Sequence, residues 1–216
     1  MTTVTPSLTL RRCVEVVVRT KIQCRDDPEL RDMSITDGPA AEEVEGIKQN
    51  LVLGCAIPQT VLMLKEVNEP RLLSLISVCT EGQPILLHPQ AGAPPFMRRL
   101  ATSWYINVMG RDDGLEGAVL LDGETHLGAV TIRAAIEYGI KLTGSEPEIY
   151  ASVLKRNRRA RRALKALGFY RHKGSDKIEG SDVMVRAAGL PLPSAPPVAA
   201  YKPLVLGPEH EFPLAA

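Results

Sequence analysis

The sequence holds no Cys-x-x-Cys pair, no apolar run approaching about 18 residues and no excess of either charge. Each absence removes a class of protein. Cys13, Cys24, Cys55 and Cys79 all lie in the first 80 of 216 residues, with no histidine at zinc-ligand spacing beside them. They read as reduced structural thiols, neither a disulfide framework nor a metal site. The opening MTTVTPSLTLRRC has no apolar core of signal-peptide length, so the expectation is a soluble, cytoplasmic chain with no membrane association. With 26 basic against 25 acidic residues, no global field draws the chain onto nucleic acid, and any electrostatic recognition has to be local. Aromatic residues make up only 4% against 44% hydrophobic, which implies an aliphatic core. No Gly-x-Ser-x-Gly, His-Glu-x-x-His or Walker loop occurs, and His88, His126, His172 and His210 lack the spacing of a metal site or a triad.

What is present reads best in the C-terminal half. Residues Leu8 to Thr20 are rich in β-branched side chains and predict a first strand, and the segment Asp26 to Asn50 carries helix signals. Thr60 to Val67 and PRLLSLISVC fit strand or helix equally well, and GQPILLHPQAGAPPF reads as a short strand entering a loop. From Trp104 the pattern sharpens. WYINVMG and LEGAVLL read as two strands joined by a tight turn at RDDG, followed by the loop GETHLG. AVTIRAAIEYGIKL is then a helix with Ile132, Ala135, Ile136 and Ile140 on one face. EIYASVL is a strand, RRARRALKAL a helix stopped by Gly168 as a left-handed cap, and FYRHKG and SDVMVRAA are two final strands.

The end of the chain changes character. Seven prolines stand in residues 191–216, where only Lys202, Glu209 and Glu211 are charged. Proline at this density excludes helix and central strand and leaves an extended arm. Leu204, Val205, Leu206, Phe212 and Leu214 need cover, from the arm's own domain or from a neighbouring subunit. The expected organisation is one domain over 1–188, with 1–100 poorly determined and 101–188 its motif-bearing core, and an extended Pro-rich arm over 189–216.

A strand leading into a glycine-containing loop and then a helix is a general anion-binding arrangement, because free backbone N–H groups and the positive helix end both face the loop. Here the loop is Thr125 to Val130, with Gly128 allowing close approach of a ligand. Beyond it, Asn157-x-x-Ala160-x-x-x-Leu164-x-x-x-Gly168-Phe169 resembles the last motif of the GNAT superfamily of acyl-CoA-dependent N-acyltransferases, over about Trp104 to Ala187. The resemblance implies a mixed α/β fold: a twisted mixed sheet with helices on both faces, opened where two parallel strands splay to admit acyl-CoA. It further implies that Leu127, Gly128, Ala129 and Val130 hold the pyrophosphate, that Asn157 bonds the pantetheine or orients the amine, and that Arg161 meets a phosphate. Glu116, at the start of the strand before the loop, and Glu124, inside it, are the candidate general bases. The chain departs from the family at three positions: Thr125 replaces a basic or amide residue, Val130 a glycine or alanine, and Leu164 the tyrosine that protonates the leaving thiolate in many members.

Two functions fit these residues. One is transfer of an acetyl or other acyl group from acyl-CoA to an amine. The other is an inactive GNAT-fold assembly protein, such as a virion component, whose arm holds partner subunits in a homo- or hetero-oligomer. The basic run Arg156 to Lys165 forms an amphipathic helix, with Arg158, Arg161, Arg162 and Lys165 on one face and Ala160, Ala163, Leu164 and Leu167 on the other. Aromatic residues do not interleave the cations, so nucleic acid is not the expected partner.

Overall fold

A computed structural model describes residues 8–20, 24, 27–35, 41, 59–79, 84–87, 96–99, 104–172 and 180–206. Strand β1 (Val14–Thr20) carries three consecutive valines at its centre and pairs antiparallel with β2 (Gln59–Glu66), from Val14↔Glu66 to Thr20↔Thr60. Strand β2 turns through Asn68, at φ 64°, into β3 (Leu72–Cys79). Asparagine is among the few residues other than glycine that adopt this conformation readily. Both segments of ambiguous periodicity are therefore strands. The reason is visible in β3, all eight residues of which are buried, so that its two apolar faces leave no alternation to read.

Strands β1, β2, β3, β6 (Trp104–Arg111), β7 (Ile149–Leu154), β9 (Ser181–Arg186) and β8 (Tyr170–Arg171) form one seven-stranded sheet in that spatial order. All neighbours are antiparallel except β6 and β7. A separate antiparallel pair is formed by β4 (Pro84–Leu87) and β5 (Phe96–Arg99). Helix α1 (Pro28–Arg31) is a single turn opened by Asp27, whose carboxylate accepts the Leu30 N–H at 3.1 Å, with proline at a first-turn position. The remainder of the helix expected over Asp26 to Asn50 lies almost wholly outside the described residues, as do Cys55, His88 and His210.

Helices lie on both faces of the sheet. Leu30 and Met33 beside α1 pack with Cys24, Val61, Met63, Leu72 and Leu75 on one side. On the other side, α2 (Leu127–Thr143) and α3 (Arg158–Ala166) cover Leu62, Ile76, Ile106 and Ala151. The face read from the helical period, Ile132, Ala135, Ile136 and Ile140, is the one that packs inward. Burial of Ile132 and Ile136, both fully covered, stabilises the fold by roughly 1.5–3 kcal/mol each, while Ile140 is partly buried. A buried hydroxyl pair fixes the register of α2 on β3: Thr131 Oγ1 donates to Leu127 O at 2.8 Å, and Ser74 Oγ donates to Thr131 at 2.7 Å.

Close approach of α2 to the sheet requires Gly139. A Cβ there would stand 2.6 Å from Pro147 Cγ and 3.5 Å from Trp104 Cε3. Gly139→Ala is expected to cost about 1–3 kcal/mol by overpacking, despite alanine's better helix propensity. A melting temperature equal to or above that of the wild type would show that Pro147 yields freely.

The arm folds back on its own domain through residue 206. Gly189 N–H donates to Glu146 O at 3.0 Å, Val14 N–H to Ala200 O at 2.9 Å, and Lys202 N–H to Val14 O at 2.9 Å. Ala200, Tyr201 and Leu204 are fully buried, and Tyr201 makes a parallel bridge to Val14 at the edge of β1. The segment is a strap running from the end of β9, past α3 and α2, to the first strand.

Candidate functional site

The parallel ladder between β6 and β7 is three pairs long: Trp104↔Ile149, Tyr105↔Tyr150 and Ile106↔Ala151. Beyond it β6 stays on β3 as far as Arg111, while β7 stays on β9 as far as Leu154. A bulge marks the parting point. Ser77 pairs with Val108 and Val78 with Ile106, which leaves Asn107 as the extra residue. A bulge bends and further twists its strand. Past Ile106, one backbone edge of β6 therefore has no strand beside it among the described residues, and its N–H and C=O groups are open to an extended ligand carrying amides.

The chain between β6 and α2 is not the strand expected for LEGAVLL. Residues 112–126 are successive turns, with Gly114, Gly117 and Gly123 at φ 80°, 75° and 72°, and among the described residues their only ladder contacts are isolated bridges from Val119 to Thr9 and His126. Glycine at positive φ every few residues coils the chain tightly enough to prevent a continuous extended run. Asp122 organises the last turn. Its Oδ1 accepts the N–H groups of Glu124 at 3.0 Å and Thr125 at 2.9 Å, and its Oδ2 accepts the Thr125 hydroxyl at 2.5 Å. Burial opposes ionisation of this carboxyl, but the hydrogen bonds from Thr125 and Glu124 outweigh it and hold its pKa below the usual value.

Helix α2 then starts with His126 as an N-cap whose side chain makes no capping bond. Leu127 N–H donates to Ala118 O, and Ala129 and Val130 donate to His126 O. The Gly128 N–H has no acceptor among the described residues, and a Cβ at Gly128 would meet nothing within 4 Å. An open backbone thus sits at the positive end of a 17-residue helix. Beside it lies a cleft of about 280 Å³, lined by Asp122, Glu124, Thr125, Ala129, Val130, Arg133 and Leu167 and walled by strap residues 193–197.

The residues singled out in the sequence divide into those facing this region and those engaged elsewhere. Leu127 and Val130 pack inward with Leu10, Leu64 and Tyr201, so the valine side chain is held in the core. Ala129 and Glu124 line the cleft, as does the otherwise core-packed Val130, and Glu124 is exposed. Glu116 lies in a turn, not at a strand start, and its carboxylate is ion-paired with Arg159 and, at 3.8 Å, with Arg111. Asn157 is the N-cap of α3, its Oδ1 accepting the Ala160 N–H at 3.0 Å. Arg161 is engaged internally: it pairs with the buried Asp182 at 3.2 Å and donates to Lys155 O at 3.2 Å. Arg158, Arg162 and Lys165 are exposed and have no partner among the described residues, while Leu164 and Leu167 are buried, as the amphipathic pattern requires. Leu164 packs in the core and offers no proton donor.

Arg133 was not singled out by the sequence. It lies inside the apolar helical run with Glu137 one turn on, and that i,i+4 pair of opposite charges was the only signal available. Among the described residues no group of three or more His, Cys, Asp or Glu side chains could hold a metal ion, and no helix is long and apolar enough to cross a membrane.

The arrangement is a mixed sheet splayed between its two parallel strands, with an open helix N-terminus beside the gap. Neither models of known protein families nor curated protein sequences give a match. Among solved structures, an acyl-CoA N-acyltransferase from Pseudomonas aeruginosa is similar over 81% of this chain and 99% of its own, at 13% identity and a TM-score of 0.50. A ribosomal-protein-S5-alanine acetyltransferase from Vibrio fischeri aligns over 83% and 95% at 14% identity and a TM-score of 0.47. The N-acetyltransferase PseH from Campylobacter jejuni aligns over 79% and 96% at 10% and 0.43. The chain has the GNAT fold.

Proposed function

We propose that this protein is an N-acyltransferase that moves an acetyl or other acyl group from acyl-CoA to an amine. The observation that carries this reading is the three-pair parallel ladder opening at the Asn107 bulge, beside a helix start whose Gly128 N–H is free. The residues present fit acyl-CoA chiefly through their backbone: open space over Gly128, an unpaired N–H there, and an unpaired edge of β6. Bound acyl-CoA supplies an activated thioester.

The chain supplies binding and proton handling. Gly128 N–H and the first turn of α2 hold the pyrophosphate, and the free edge of β6 takes the amides of the pantetheine arm. Of the two candidate bases, Glu124 fits better. Its carboxylate is exposed at the cleft, whereas that of Glu116 is committed to Arg159 and Arg111. Glu124 accepts the proton of the incoming ammonium directly or through one water. Asn157 keeps its carbonyl oxygen on Ala160 N–H, which leaves only its side-chain amide N–H groups for substrate. With Leu164 buried, solvent protonates the leaving thiolate. A side-chain general acid is typically worth about 10²–10⁴-fold, so a modest turnover is expected.

Calorimetric titration with acetyl-CoA tests the reading. Micromolar binding, and acetylation of at least one amine in a polyamine, amino-acid and peptide panel, is the expected result. No heat and no thermal shift at millimolar acetyl-CoA would refute it.

A further inference from the structure

Thr125 stands where the family's pyrophosphate loop carries a basic or amide side chain, and the structure holds Thr125 on Asp122, so the loop has no cation of its own. The cleft beside it does have one. Arg133 lines that cleft from α2, one turn beyond Ala129, yet only 7% of its surface is exposed. Its guanidinium is held from two sides: Nε donates to Glu137 Oε1 at 2.7 Å, and Nη1 donates to Pro193 O at 2.7 Å and Ser194 O at 3.1 Å. Glu137 is fixed in turn by the Tyr201 hydroxyl, which donates to its Oε2 at 2.8 Å. Nη2 has no partner among the described residues. A buried guanidinium with two of its three nitrogens engaged and the third free, lining a cleft next to an open helix N-terminus, is a donor set waiting for an anionic oxygen.

We propose that Arg133 is the phosphate-binding side chain that the loop lacks, and that the strap, through the carbonyls of Pro193 and Ser194, positions it. The proposal rests on the acyl-CoA reading for the identity of the ligand, but its core claim is that the cleft binds a pyrophosphate group through Arg133. The strap's composition suits the task. Pro193, Pro196 and Pro197 limit its freedom before folding, so two carbonyls are presented to Nη1 at little entropic cost. The anchors are Leu192, packed on the core, and Tyr201, fully buried at the edge of β1. Glu124 and the charged Asp122 lie on the cleft lining and oppose an anion. Glu124→Gln therefore tightens pyrophosphate binding several-fold while it lowers turnover, a split that a purely structural role for the cleft would not produce.

The direct test uses the wild-type chain. Side-chain ¹⁵N resonances of Arg133 are followed by NMR while inorganic pyrophosphate, and separately acetyl-CoA, are added. Both ligands are expected to shift the Nη2 protons, and Arg133→Gln is expected to weaken both by about tenfold or more. Tyr201→Phe, which loosens the clasp without removing the arginine, should weaken both by a few-fold, and serves if Arg133→Gln fails to fold. Binding of either ligand with the Arg133 resonances unmoved, or with undiminished affinity in folded Arg133→Gln, overturns the proposal, and the acyltransferase reading stands where acetyl-CoA is among the ligands bound. Binding of pyrophosphate through Arg133 with no binding of acetyl-CoA supports the proposal and sinks the acyltransferase reading. Binding of neither overturns both.

Discussion

Gly128→Trp is expected to weaken acetyl-CoA binding by at least about a hundredfold, close to 2.7 kcal/mol, and to leave the melting temperature nearly unchanged. Both halves follow from the same observation. A side chain at Gly128 meets nothing within 4 Å of its Cβ, so the indole is accommodated outward without displacing the core. Glycine in a helix is also about 0.3–1 kcal/mol less favourable than most residues, so the folded state loses nothing in propensity. The space the indole enters is the approach to the free Gly128 N–H, and a blocked approach removes the backbone donor on which a phosphate depends. Gly128→Ala, which adds one methyl group, should weaken binding only several-fold. Calorimetry on the three proteins checks the series. Equal affinity in all of them, with folding confirmed by circular dichroism, would place the cofactor elsewhere on the molecule.

The second large effect concerns stability. Arg186, on β9, is fully buried, and it joins three parts of the chain. Its Nε donates to Leu167 O at 3.1 Å, at the C-terminal cap of α3, and its Nη2 donates to Leu190 O, where the strap begins. Burial pulls its pKa below the usual arginine value, opposed by the charge of Glu146. Arg186→Met keeps much of the side-chain volume and removes both donors. Two carbonyls are then left without partners at about 1–3 kcal/mol each, partly offset because a charge no longer has to be desolvated. A net loss of about 3 kcal/mol is expected, which for a domain of this size lowers the melting temperature by roughly 6–12 °C. Arg186→Lys should recover little, because the two carbonyls are met by different nitrogens of one planar group. An unchanged melting temperature in Arg186→Met would mean that water satisfies both carbonyls.

These two residues illustrate different degrees of legibility. Gly128 was visible in the sequence because a glycine at the start of an amphipathic helix has a local meaning. Arg186 was not, since a single arginine ending an apolar strand looks like any strand-end charge. Its role arises from Leu167 and Leu190, brought to it by the α3 cap and by the first turn of the strap.

By itself the sequence determined the elements whose signal is periodic and local: α2 through Ile132, Ala135 and Ile136, α3 through its two contrasting faces and Gly168 at φ 89°, and β7 and β9 through short β-branched runs. Through the Asn157-to-Phe169 motif it also carried the GNAT likeness. It misread LEGAVLL as a strand because an apolar run gives no weight to glycines that take positive φ within it, at Gly117, and on either side, at Gly114 and Gly123. Only the tertiary structure decided that β2 and β3 are strands, that β6 parts from β7 after three pairs, that Glu116 is bound by arginines, and that the strap reaches Arg133 and Tyr201. The physical reason is common to all four. Strand pairing, ion pairing and the path of an extended arm are set by contacts between residues far apart in the chain. Their partners are absent from any local window, so neither period nor propensity encodes them.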